Sequence, residues 1–217
     1  MLVETFWDLE RIGRIRLSRS FFLRDFLHSE IASFYRLPNW PESLEAAVIA
    51  GRELCGKILE PLQETFGRIH IRSGYRSPAL NTFGNKRGLK CASTSKNLGY
   101  HCWGLDAEGR MGAAACVVVP WALDNCREPG GWQRMAWFIH DHLPYHRMAF
   151  FQQQCAMNIG WSEQPERSIW STAAPRGWLT RPDMLNSVGS HADRYQGFPP
   201  FRMPPDEPVY FDLLPPV

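Results

Sequence analysis

Ile71-Arg72-Ser73-Gly74-Tyr75-Arg76-Ser77-Pro78-Ala79-Leu80-Asn81 passes from an alternating stretch, through a glycine corner, into a proline-started segment. Ser77 reads as a helix N-cap and Pro78 as the first helical residue, where a missing N–H costs nothing. A polar loop over 84–99 follows, then His101-Cys102-Trp103-Gly104-Leu105-Asp106. Gly112-Ala113-Ala114-Ala115-Cys116-Val117-Val118-Val119 is continuous small and β-branched sequence, as in a buried strand, and stops at Pro120. Two strands thus bracket a loop holding an Arg, a His and an Asp, so this stretch decides both the frame and the chemistry.

Upstream, apolar positions 22, 23, 26, 27, 31 and 34 fall on one helical stripe, with Ser20 as N-cap and Pro38 as stop. A second helix begins near Glu42-Ser43. Leu44, Val48, Cys55 and Leu62 share its face with Gly51, which permits another backbone to approach closely. Pro61 should kink that helix or begin a new one, and Gly67 suits its C-cap. Residues 68–72 then alternate as a strand.

Downstream, 121–127 suits a short helical turn and 132–140 an amphipathic helix. Strand patterns occupy 147–151, 159–162 and 167–171, the last two joined by a polar turn. Helices come first and short strands later, which predicts an α+β class with N-terminal helices packed on a small, mostly antiparallel sheet. The expected organisation is one domain over 1–196 and a proline-rich extension over 197–217 lying on the surface as extended chain.

The chain's 217 residues, 44% hydrophobic and 21% charged, suit a globular domain with a sizeable core. A net charge of +2 with interspersed signs gives no basis for nucleic-acid binding. Cys55, Cys91, Cys102, Cys116, Cys126 and Cys155 form neither a CxxC pair nor a disulfide framework, and Cys55 and Cys116 read as buried thiols. Acids near the start oppose a signal peptide, and no apolar run reaches transmembrane length. The expectation is a reduced cytoplasmic protein with no membrane partner.

Arg76, on a rigid corner, can clamp a carboxylate through paired hydrogen bonds, or brace the loop through carbonyls. His101 and Asp106 are ligand types for zinc, although a His and an Asp also form ordinary hydrogen bonds. His140 and His142 lie about 200° apart on a helix and cannot share one ion. Cys116, His142 and His191 are reserve ligands, and Glu163 is the unassigned carboxylate for a general base. Tyr75, Trp103 and Trp161 are the aromatic candidates for lining a substrate site. No nucleophile elbow, phosphate-binding loop, dinucleotide fingerprint or HExxH motif is present.

Phe21 to Ala32, Leu59-Glu60-Pro61-Leu62 and above all Ser73 to Asn81 resemble segments of the zinc D-Ala-D-Ala carboxypeptidase and endolysin family of peptidases. That resemblance implies a zinc held by His, Asp and His, a catalytic Glu and a substrate-positioning Arg, acting on peptidoglycan stem peptides. By position, Arg76 takes the Arg role and His101 the first ligand. Thereafter the sequence departs. Asp106 comes two residues early and Glu108 occupies the spaced position, or an insertion aligns Cys116 with the Asp. Phe150, Phe151 and Gln152 stand near the catalytic Glu, and Trp161 or Ser162 at the last His. Serine is a poor zinc ligand and glutamine is no base. Three functions follow: a divergent zinc peptidase or amidohydrolase, a degenerate peptidase fold that binds a peptide or protein, or another metal chemistry on the same scaffold.

Overall fold

The computed structural model describes residues 3–152 and 156–205. Its helices are α1 (Phe6–Gly13), α2 (Arg24–Leu27), α3 (Glu30–Tyr35), α4 (Leu44–Leu54), α5 (Glu60–Phe66), α6 (Pro78–Lys86), α7 (Thr94–Asn97), α8 (Pro120–Asn125) and α9 (Trp132–His142). Its strands are β1 (His70–Ser73), β2 (Gly104–Leu105), β3 (Met111–Val118), β4 (Arg147–Phe150), β5 (Ala156–Ser162), β6 (Ser168–Ser171) and β7 (Gly177–Thr180). The architecture is α+β.

The sheet runs β1-β3-β5-β4-β6-β7, with β2 pairing β3 as well. All pairings are antiparallel except β4 with β6. The two last expected strands, β5 and β6, are therefore not partners: β4 lies between them. Alternation along β3 puts Ala113, Ala115 and Val117 in the main core with α4 residues Ala47, Ala50 and Leu54. Cys116 faces the other way, into a cleft. Gly51 does allow close approach on α4, but of a ring: a Cβ there would meet Trp103 at 2.6 Å.

The expected helix over the 22–34 stripe is broken in two. Ser29 caps α3 by accepting from Ala32 N–H, and His28 between the helices is extended. Ser20 caps no helix. Its N–H and hydroxyl instead donate to the buried Glu60 carboxylate at 2.6 and 3.0 Å, and Ser18 Oγ adds a third bond at 2.7 Å. Pro61 stands in the first turn of α5, so a new helix begins there as expected. A π turn over Cys55–Leu59 joins α4 to α5, and Glu60 N–H reaches back to Cys55 O. Gly67 ends α5 at φ 79°, a conformation natural to glycine.

The start of the expected extension packs on the core, with Phe198 and Phe201 against it. Cys155 and the tail beyond residue 205 lie outside the described residues. Among described residues, no helix is long and apolar enough to cross a membrane.

Candidate functional site

The cleft lies on the sheet face opposite α4 and encloses about 920 Å³. Its rim begins at the β1–α6 corner, which several buried polar groups rivet. Tyr75 N–H donates to Phe26 O at 2.9 Å and Arg76 N–H to His101 O at 2.8 Å. Asn39 spans the corner, donating to Leu27 O and Tyr75 O and accepting from Ser77 N–H. Gly74 is required here, because a Cβ would meet the Phe26 side chain at 2.7 Å. Ser77 caps α6 as the sequence predicts.

His101 lines the cleft and is 6% exposed. Its Nδ1 lies 3.2 Å from Gly74 O, and a carbonyl only accepts, so Nδ1 carries the proton and Nε2 a lone pair. Burial, reinforced by the Arg76 guanidinium, pushes the imidazole down to about 4. An unfolded His titrates near pH ~6.5. Stability from the neutral ring is therefore complete above pH ~6.5 and is lost as pH falls toward about 4, by up to roughly 3 kcal/mol. Urea midpoints measured from pH 8 to pH ~4 should fall accordingly, and His101→Gln should flatten the profile by this share. The remaining slope belongs partly to His146, which burial also lowers to about 4.

Three guanidinium groups face this cleft. Arg76 Nη1 donates to Asn81 Oδ1 at 3.1 Å, and Arg72 lies 3.6 Å from Glu30, longer than a hydrogen bond. Arg147 stacks over the Tyr100 ring at 4.6 Å and reaches Lys96 O at 3.5 Å, while its buried Nε has no hydrogen-bond partner among the described residues. Lys90 and Lys96 also line the cleft, against one carboxylate, Glu30, among its described residues. Five cations facing one anion across a concavity focus a positive potential on whatever enters.

Of the sequence candidates, the cleft gathers Tyr75, Arg76, His101 and Cys116. Tyr75 is held by its hydroxyl on Trp40 O at 3.2 Å. Cys116 lies under Arg72, and burial raises its thiol despite that charge. The other candidates are used elsewhere. Asp106 forms a turn, accepting from Glu108 N–H, Arg110 N–H and Arg110 Nε at 2.9, 2.9 and 2.7 Å. Glu163 accepts from Met111 N–H at 2.7 Å and lines, with Trp161, a separate shallow pocket. Trp103 is core, donating to Ala114 O at 2.9 Å.

His142 stacks on Phe201 at 4.8 Å. His191 lies between Asp141 Oδ1 at 2.7 Å and Asn186 O at 3.1 Å, stacked on Trp137. Both histidines fasten the C-terminal segment to α9. Sequence reasoning missed Arg72, Arg147, Asn158 and Ser168. The alternation of β1 offered a signal for Arg72, whereas Arg147 and Ser168 meet only through the parallel β4–β6 register.

Zinc was the cofactor expected, and the donor set does not fit it. No three His, Cys, Asp or Glu side chains converge to hold a metal among the described residues. Of the expected ligands only His101 and Cys116 reach the cleft, each beside a guanidinium that repels a cation. Compared with protein-family models, curated proteins and solved structures, the chain matches none.

Proposed function

We propose that the cleft is an oxyanion-binding groove that recognises the free carboxylate of a peptide-like ligand, on a scaffold resembling the zinc D-Ala-D-Ala carboxypeptidases but with binding in place of cleavage. The observation that carries this reading is that Arg72, Arg76 and Arg147 line one cleft that holds a single carboxylate among its described residues, and that the buried Nε of Arg147 has no hydrogen-bond partner among the described residues. Buried donors left unsatisfied cost free energy, and a carboxylate supplies several acceptor lone pairs to a planar guanidinium. His101, neutral and with a free Nε2 lone pair, adds an acceptor for a ligand N–H at the same corner.

Calorimetric titration of chelator-treated protein tests this. A short peptide with a free carboxylate should bind, and its C-terminal amide should bind at least about 10-fold more weakly. Equal binding of acid and amide would reject the groove as a carboxylate site. Binding or cleavage that returns only with added zinc would favour the metallopeptidase reading instead.

A further inference from the structure

The pairing register aligns one residue from each strand into a continuous row across the sheet: Ser73, Cys116, Asn158, Ala149, Trp170 and Trp178. All six line the cleft. One end of the row lies under Arg72 and beside Arg76. The other is the Trp170–Trp178 pair, edge to face at 5.1 Å, with Trp178 45% exposed. Between them the row is low, since Cys116, Asn158 and Ala149 project little. The cleft is thus a trough crossing the strands, cationic at one pole and aromatic at the other.

The register also sets its length. Neighbouring strands lie about 4.8 Å apart. Three spacings separate Cys116 from Trp170 and four separate it from Trp178, which gives about 14 to 19 Å. An extended peptide advances about 3.3 Å per residue, so four to six residues span the poles, roughly. Arg147 and Ser168, paired in the adjacent row, lie along the trough with donors for peptide carbonyls on the way.

Resting on the carboxylate reading above, we infer that the ligand is an extended peptide of about five residues that binds across the strands, its C-terminal carboxylate at Arg72 and Arg76 and an aromatic side chain on Trp170 and Trp178. Carboxylate recognition alone demands neither a length nor a ring. The trough adds both.

The probes are acetyl-Phe-(Gly)n-Ala peptides of two to eight residues with free carboxylates, and all-glycine counterparts, titrated by calorimetry and tryptophan fluorescence. Affinity should rise to a maximum near five residues, and the Phe probe of that length should bind about 10-fold more tightly than its glycine counterpart. Trp178→Ala should reduce the Phe probe to the level of the glycine probe and leave the glycine probe within about twofold. Trp178 is half exposed on an edge strand, so folding should survive, and a melting curve checks this. Affinity independent of length, or equal for Phe and glycine probes, overturns the inference while leaving carboxylate recognition standing. If no free-carboxylate peptide binds, the underlying reading fails and this one with it.

Discussion

Arg76→Ala should weaken binding of a free-carboxylate peptide by at least about 30-fold while leaving the fold in place. Truncating one partner of a buried, hydrogen-bonded charge pair costs roughly 2–5 kcal/mol. The structural cost is smaller, for two reasons. Arg76 contributes its backbone N–H to His101 O, which alanine keeps. Its side-chain bond to Asn81 Oδ1 is also shared, because Asn97 Nδ2 donates to the same oxygen at 3.0 Å. A stability change of about 1 kcal/mol is therefore expected. The amidated peptide provides the control: its weaker binding should change little. An equal loss for acid and amide would mean that Arg76 shapes the groove without touching the carboxylate.

Phe26→Ala should produce the largest loss of stability, about 3–5 kcal/mol. Its ring is fully buried, 5.0 Å from Trp103 and 6.0 Å from Phe21. It also forms the surface against which Gly74 lies, so the cavity would open directly beneath the Gly74–Arg76 corner. Urea unfolding should show a lower midpoint at unchanged slope, and residual carboxylate binding should weaken as the corner loosens. A loss below about 1 kcal/mol would show that the ring is not a principal support of the corner.

Local rules carried much of the frame. Ser77-Pro78 announced α6, the alanine-valine run announced β3, and Gly67 closed α5 as its lack of a Cβ predicts. The stripe over 22–34 misled because its periodicity was continuous while its backbone was not. Ser29, a mid-stripe residue in that reading, is the N-cap that restarts the chain. Strand β7 and the aromatic pole escaped notice because Gly177-Trp178-Leu179-Thr180 is too short for alternation to stand out.

The site was legible at one corner only. Arg76 and His101 stood out because each follows a readable local pattern, the glycine corner before Ser77-Pro78 and the polar loop that ends at residue 99, although the bonds that join them cross 25 residues or more. The partners that complete the cleft, Arg147, Asn158 and Trp170, lie on β4, β5 and β6, and the order of those strands is not their order in the chain. No spacing rule reports a register between segments that far apart. Asp106 shows the opposite case. A suitable ligand type at close spacing to His101 is consumed by a turn around Arg110, an alternative that a nearby basic residue always offers.

The π turn at Cys55–Leu59 behaves as a stored insertion. Its wider turn spreads five residues over about the rotation that four take in an α-helix, so the surplus residue is absorbed where it stands. Glu60, the first residue after the turn, therefore keeps an inward bearing, where three donors from Ser18 and Ser20 meet its carboxylate. The N-terminal segment is thus tied to the helix through one side chain that the extra residue leaves in phase. Losing one of the five should close the turn to ordinary α-helix and leave that carboxylate near its present partners.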